Sequence, residues 1–276
     1  MNIKQALEFA TAKFSLSCDT PNLDARVLTC LSCKLEQSKL FTEPDLLLTA
    51  EQEKNFLAYV ERRASGEPIA YITGEKEFWS LRFKVDNHVL IPRPETELLV
   101  ELTLEQIKNK KSAKILDLGT GSGVIAIAIA SQYPNCQIIA SDNSEPALDI
   151  AKQNAASHKA KIDFIHSDWF ANIPEQTFDV IVANPPYIDK NDPHLNKHVY
   201  QYEPEHALIS KNKGLFDLNK IINQARNYLT HSGILIVEHG FQQAHSVQQL
   251  FKQANFKRIK SHKDLAGKLR CSSGGI

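Results

Sequence analysis

The sequence predicts an α/β protein: a mostly parallel sheet covered by helices on both faces, preceded by a small helical domain and a β-hairpin connector. Three observations lead there. From residue 114 to 238, short β-branched runs alternate with amphipathic stretches, the pattern of strands joined by crossover helices. The first of these runs leads directly into a glycine-rich turn, DLGTGSG (117–123), followed by the helical stretch VIAIAIASQY. Residues 1 to about 66 instead carry apolar residues at helical spacing.

Taken in order, the helical domain (1–66) opens with Ile3, Ala6, Leu7, Ala10 and Phe14 on one stripe, then Leu23, Val27, Leu31 and Leu35 on a second. A third helix starts after Thr49, which caps it with Gln52 three residues on. Gly66 and Pro68 mark the end of this domain. The connector (67–93) changes to aromatic and β-branched texture, EFWSLRFKV (77–85) and VLIP (89–92), and reads as a β-hairpin. The last domain (94–276) begins at IPRPETE (91–97), where Pro94 suits a helix start and Glu95 and Glu97 suit its first turn. That helix runs to about Lys108. Strands follow at KILDL (114–118), QIIAS (137–141), KIDFI (161–165), FDVIVA (178–183) and GILIVE (233–238).

Composition narrows the function. Thirty-two basic residues balance 32 acidic ones, so no global field draws the molecule to phosphates. No apolar run reaches the roughly 18 residues a membrane span needs, and no leader pattern opens the chain, which predicts a cytoplasmic protein. Five scattered cysteines suit reduced thiols. Cys30 and Cys33 form a CxxC with no second pair nearby, so they read as buried helical thiols, Cys30 sharing a face with Val27 and Leu31, and no metal is expected.

The glycine turn predicts a nucleotide-like ligand, because glycines admit close backbone approach and the following helix offers unpaired N–H groups. Position 124 is Val, so Gly119, Gly121 and Gly123 make GxGxG rather than the dinucleotide pattern GxGxxG. Thr120 and Ser122 complete the loop. Asp142, ending the next strand, stands where a carboxylate accepts from both ribose hydroxyls. Asp117 either orients the loop amides or meets the cationic part of a methionine moiety. In SDWF (167–170), Trp169 either covers an adenine, with Asp168 on its exocyclic amine, or belongs to the core.

The fourth strand ends in ANPPY (183–187). Pro185 and Pro186 donate no backbone hydrogen bonds and hold an extended path, which frees neighbouring carbonyls for a ligand. A planar –NH2 on an sp2 carbon is a poor nucleophile, so geometry must compensate. With Asn184 Oδ1 and the Pro185 carbonyl each accepting one amine hydrogen, the nitrogen presents its lone-pair face to a sulfonium methyl. Tyr187 packs on the planar group. Positive charge developing on the nitrogen strengthens both bonds in the transition state.

These residues resemble the release factor glutamine methyltransferases. The resemblance runs over nearly the whole chain: GEPIAYITG (66–74), EFWSL (77–81), LIPRPETE (90–97), ILDLGTGSG (115–123), SDWF (167–170), NPPYID (184–189), EP (203–204) and EHG (238–240). NPPY with a glycine loop occurs in several amino-methyltransferase families, whereas IPRPETE and GEPIAYITG are more particular to this one. The resemblance implies a Rossmann-like S-adenosylmethionine-dependent methyltransferase domain behind a helical domain that binds the release factor. It implies cofactor contacts at the glycine loop, Asp142, Trp169 and Asn184, S-adenosylhomocysteine as product, and a substrate glutamine from the GGQ loop held by NPPY.

Three other readings stay open on the residues alone: a methyltransferase for an exocyclic amine of a nucleic-acid base, a partner-binding protein with a vestigial pocket, and a dehydrogenase. The charge balance speaks against the first, intact Asn184 and Pro185 against the second, and Val124 against the third. His194, His198 and His206 are at irregular spacing and predict no metal site. The segment after NPPY reads as a loop closing over substrate, shaped by Glu203 and Pro204. With no heptad and no long apolar stripe, a monomer is expected.

Overall fold

The computed structural model describes residues 1–15, 18–192 and 201–276. The expected roles of His194 and His198, and most of the expected closing loop, lie outside the described residues. Two compact units are present, Met1–Glu75 and Lys76–Ile276.

The first unit is built on α1 (Ile3–Phe14), α2 (Pro21–Cys33), the short α3 (Lys39–Thr42), α4 (Ala50–Ala64) and α5 (Ile69–Thr73). Helix α4 starts as the sequence predicts: Thr49 Oγ1 accepts from Gln52 N, and Gln52 Oε1 accepts from Thr49 N. Asn2 and Gln5 form the same reciprocal cap on α1. The stripe Ile3, Ala6, Ala10 and Phe14 is buried as expected. The stripe expected of α2 is met in part: Leu31 and Leu35 pack at the edge of this core, but the buried centre lies on a rotated face. Leu23 is 46% exposed, and the buried residues are Asp24, Ala25, Leu28, Thr29, Ser32 and Cys33. The cause is that α2 packs against both α1 and α4, a position that favours small side chains at the contact and leaves the larger ridge at the flank. Asp24 tolerates burial because Arg63 Nε donates to it at 2.7 Å. Cys33 lies in this core and Cys30 is half-buried. Helix α5 packs on α2 and α4, so the unit extends beyond the boundary expected at residue 66.

The second unit opens on a hairpin, β1 (Glu75–Phe78) and β2 (Leu81–Lys84). The hairpin closes within EFWSLRFKV, and VLIP, expected to share the strand texture, forms no strand. A 3-10 turn at Pro94–Thr96 leads into α6 (Glu97–Ile107). Then come β3 (Lys114–Leu118), α7 (Val124–Gln132), β4 (Gln137–Asp142), α8 (Glu145–Ser157), β5 (Asp163–His166), β6 (Phe178–Ala183) and β7 (Leu229–Glu238). Strand β5 starts two residues later than the sequence suggests, and β7 starts earlier.

Among the described residues the main sheet has seven strands in the order β5-β4-β3-β6-β7-β9-β8, where β8 is Lys257–Lys263 and β9 is Leu269–Gly275. The first five run parallel; β9 is antiparallel to both β7 and β8, so β8 at the edge runs in the direction of the first five. Period-two alternation sends Ile115, Val180 and Val182 into one core and Leu116, Leu118, Ile181 and Ala183 into the other. Helix α7 is buried on every side from Val124 to Ile129, which explains its apolar composition. Chain order reverses between β3 and β6. The turn after β3 and the NPPY segment after β6 therefore open together at the carboxyl edge, where open parallel sheets bind ligands.

Candidate functional site

At that edge lies a cavity of 310 Å³. Its walls include Gly119, Thr120, Gly121 and Ser122 after β3, Asp142 and Asn143 after β4, Ser167–Trp169 after β5, and Asn184 and Pro186 after β6. Four segments far apart in sequence thus converge, and most residues expected to contact a cofactor line this cavity.

The glycine loop is held by its surroundings before any ligand arrives. Gly119, Gly121 and Gly123 have φ of 70°, 54° and 84°, the left-handed region where a side chain is strained. The N–H groups of Gly119 and Thr120 donate to Ser141 O at 2.8 and 2.9 Å, and Gly121 N donates to Asp142 Oδ2 at 2.8 Å. A Cβ on Gly119 would sit 3.3 Å from the Trp169 ring, so glycine lets the indole lie close against the loop. Gly123 is not in the cavity wall; it caps α7, where a Cβ would crowd Ile127 and Ala151.

Asp142 is 9% exposed and accepts from Ser144 N through Oδ1 as well as from Gly121 N. Burial pushes its carboxyl above the usual carboxylate range, opposed by those amides and by the nearby His206. Asp117 is fully buried beneath the loop and absent from the cavity wall. Its Oδ2 accepts from Thr120 Oγ1 at 2.7 Å, in keeping with the loop-orienting alternative. Burial raises its pKa to about 7. Trp169 is held at φ 52° by its neighbours: its indole N–H donates to Asp217 at 3.2 Å, and Ser210 donates to the same carboxylate at 2.6 Å. Asp168 accepts from Lys220 at 2.7 Å.

At the NPPY segment, Asn184 Nδ2 donates to Thr96 Oγ1 at 3.1 Å, which leaves Asn184 Oδ1 as the acceptor end. Pro186 lines the cavity. Pro185 is buried, and Tyr187 is not in the cavity wall; its ring packs against the core and its hydroxyl donates to Glu238 Oε1 at 3.1 Å. The Tyr187 carbonyl accepts from Gln243 Nε2 at 2.9 Å.

Several contributors were not singled out from sequence. The connector lines the cavity through His88, Val89, Leu90, Pro92 and Arg93. Glu203, expected to shape the loop after NPPY, is 4% exposed and receives Arg93 at 2.5 Å and Ile91 N at 3.1 Å, which fixes the connector. Asn154, on α8, accepts from Lys84 N at 2.8 Å and donates to Ser122 O at 2.9 Å, fastening β2 to the glycine loop. IPRPETE, EP and EHG were visible as motifs, but no spacing told what Thr96, Glu203 or Glu238 would touch.

A doubly wound sheet with a glycine turn after its first strand, an acidic residue ending the second and NPPY after the fourth defines a Rossmann-like S-adenosylmethionine-dependent methyltransferase. Residues 95–202 match the family model "Methyltransferase small domain", and residues 5–74 match "PrmC N-terminal domain". Over 270 residues the chain is 43% identical to a release factor glutamine methyltransferase of Coxiella burnetii, covering 97% of this chain and 96% of that one. It is 45% identical over 276 residues to one of Buchnera aphidicola subsp. Schizaphis graminum, covering 99% of each. In fold it is similar to a 16S rRNA methyltransferase of T. Thermophilus solved with AdoMet and guanosine, with a TM-score of 0.53, 14% identity, and coverage of 73% of this chain and 49% of that one. The chain belongs to the release factor glutamine methyltransferase family. Among the described residues no helix is long and apolar enough to cross a membrane.

Proposed function

We propose that this protein transfers a methyl group from S-adenosylmethionine to the side-chain amide nitrogen of the glutamine in the GGQ motif of peptide chain release factors. The observation that carries the reading is the orientation of Asn184: its amide nitrogen is engaged by Thr96, so its oxygen is the end offered to an N–H donor at the cavity.

The donor set fits the cofactor. A carboxylate held by two backbone amides suits a ribose diol, and the indole over Gly119 suits an adenine edge. Gly119, Thr120, Gly121, Ser122, Asp142, Trp169 and Asn184 would hold it, with Gly123 supporting the loop where it caps α7. When bound, S-adenosylmethionine supplies an electrophilic methyl and leaves as S-adenosylhomocysteine. The chain's own residues supply the rest. Asn184 Oδ1 and the Pro185 carbonyl accept the two hydrogens of the glutamine amide and set its lone-pair face toward the methyl. Pro186, without an N–H, does not compete for those acceptors. Tyr187, tethered to Glu238, keeps the NPPY segment from turning. Positioning of this kind contributes up to about 7–11 kcal/mol toward a barrier. No base is needed before transfer, because the proton leaves from the product cation.

The same reading makes the release factor the partner, with nucleic acid not a substrate, a monomer as the working form and the cytoplasm as its location. The test is mass spectrometry of a release factor incubated with enzyme and S-adenosylmethionine, where one added methyl on the GGQ glutamine is expected. Asn184→Ala should lower the rate by about 10²–10³-fold, the usual cost of losing one aligned transition-state hydrogen bond. Labelled methyl appearing only in DNA or ribosomal RNA would reject the reading.

A further inference from the structure

We propose that Glu238 is a positioning residue: its buried carboxylate takes the protons of the Thr96 and Tyr187 hydroxyls and thereby fixes which way round the Asn184 amide points. The inference deepens the proposed function and rests on its assignment of Asn184 Oδ1 as the acceptor for the substrate amine.

The hydrogen-bond chain through Thr96 has a direction. Thr96 is 3% exposed, and its hydroxyl has a single proton to give. If that proton went to Asn184, the amide would flip, presenting –NH2 to a substrate –NH2, and the two would repel. Asn184 presents oxygen only while the Thr96 proton is committed elsewhere. Glu238, 1% exposed, is the buried carboxyl whose pKa the Thr96 hydroxyl lowers. Its Oε1 takes the Tyr187 proton at 3.1 Å, while its buried Oε2 has no hydrogen-bond partner among the described residues, and the Thr96 hydroxyl is the donor we assign to it. One carboxylate therefore sets the sense of both contacts to NPPY. The fold brings them together: Val237 pairs with Ala183 in the β6–β7 register, so Glu238 and Asn184 end adjacent strands, and Thr96 arrives from the turn before α6.

Retaining a carboxylate in such a place costs stability, which an apolar side chain would avoid. Burial drives the Glu238 pKa up to about 7; Thr96, Tyr187 and Arg270 pull it down, and Glu95 pushes it up. Cys271, on β9, faces the same carboxyl as a neutral thiol, and Arg93 faces Tyr187. A protonated Glu238 cannot accept from both hydroxyls, so the Thr96 proton is released toward Asn184. The turnover rate should therefore rise with pH through about 7 and then level off.

The experiment measures kcat, KM and cofactor Kd against pH for the full-length enzyme and its Glu238→Gln, Thr96→Val and Thr96→Ser variants. Glu238→Gln should lower kcat by about tenfold or more, as loss of an orienting outer partner commonly does, with cofactor Kd held and the rise near neutrality gone. Thr96→Val, which keeps the buried volume, should show the same kcat loss, and Thr96→Ser should recover most of it. A Glu238→Gln enzyme with unaltered kcat and pH profile overturns the proposal. Should that variant fail to fold, Thr96→Val decides, and wild-type kcat there overturns it equally. Variants are compared with wild type on whichever acceptor the wild type methylates, release factor or nucleic-acid amine. A wrong substrate assignment then shows in the wild type, whereas a wrong relay shows only in the variants.

Discussion

Asp117 is a carboxyl placed where water cannot reach it, with Oδ2 bound to Thr120 and Oδ1 left without a partner among the described residues. Its pKa stands at about 7 against an ordinary 3.8, so the folded protein favours the protonated form. For a carboxyl raised in this way the stabilising contribution is complete below the unfolded value and is lost as pH climbs to the folded one. Asp117→Asn should keep the bond from Thr120 and remove that pH dependence. The ligand-free variant should match wild type near pH 4 and exceed it at pH 8, by up to about 4 kcal/mol at 1.36 kcal/mol per pKa unit. Denaturant titrations at several pH values read this directly, and parallel stability curves for the two proteins would refute it. Glu238 carries the same sign of shift, but its neighbours are hydroxyls that touch NPPY, so there the burden is coupled to positioning.

The hairpin shows what local sequence does and does not reveal. Trp79 and Ser80 form its two-residue turn with φ of 54° and 58°, a geometry normally given to Asn or Gly. Trp79 is held there because its N–H donates to Glu97 at 2.7 Å, whereas Ser80 is exposed and gains no such bond. Ser80→Gly should therefore raise stability by about 0.5–1 kcal/mol, measured by denaturant unfolding, and a loss would show that Ser80 is not strained. The strands β3, β4, β6 and β7 were legible because burial on both faces demands near-continuous apolar runs. Strands β8 and β9 were not. Lys257–Lys263 is polar at an edge, and Leu269–Gly275 is rich in Ser and Gly because a Cβ on Gly274 would come within 2.5 Å of Phe251. The buried face of α2 is rotated from the expected stripe because spacing reports where large residues recur, whereas the contact with two helices is filled by the small Ala25, Thr29 and Ser32 around Leu28. The glycine loop, Asp142 and Asn184 were legible because backbone approach, diol recognition and amide acceptance each restrict residue type. The partners of Thr96, Glu203 and Asn154 were not, because each acts on a residue 70 or more positions away, and no local period encodes such a pairing.

At the scale of the molecule, the cavity is walled by loops after β3, β4, β5 and β6, so one ligand bridges connections that the chain itself leaves separate. Such bridging stabilises only the folded state. The unit Lys76–Ile276 should gain about 2.7 kcal/mol when S-adenosylmethionine is present at a hundred times its Kd. Equal numbers of basic and acidic residues leave no long-range field to enhance the effect at low salt, so the gain should change little with ionic strength. Amide exchange should slow most at Gly121 and Ser144, whose N–H groups are held by the Asp142 carboxylate that the ribose would anchor. NAD should leave both the midpoint and those amides unchanged, because Val124 stands where the dinucleotide pattern requires glycine and begins the buried α7. Stabilisation by NAD in place of S-adenosylmethionine would mean that the loop conformation, and not the residue at 124, selects the nucleotide. The reading of the Asp142 wall would then have to be rebuilt around a pyrophosphate.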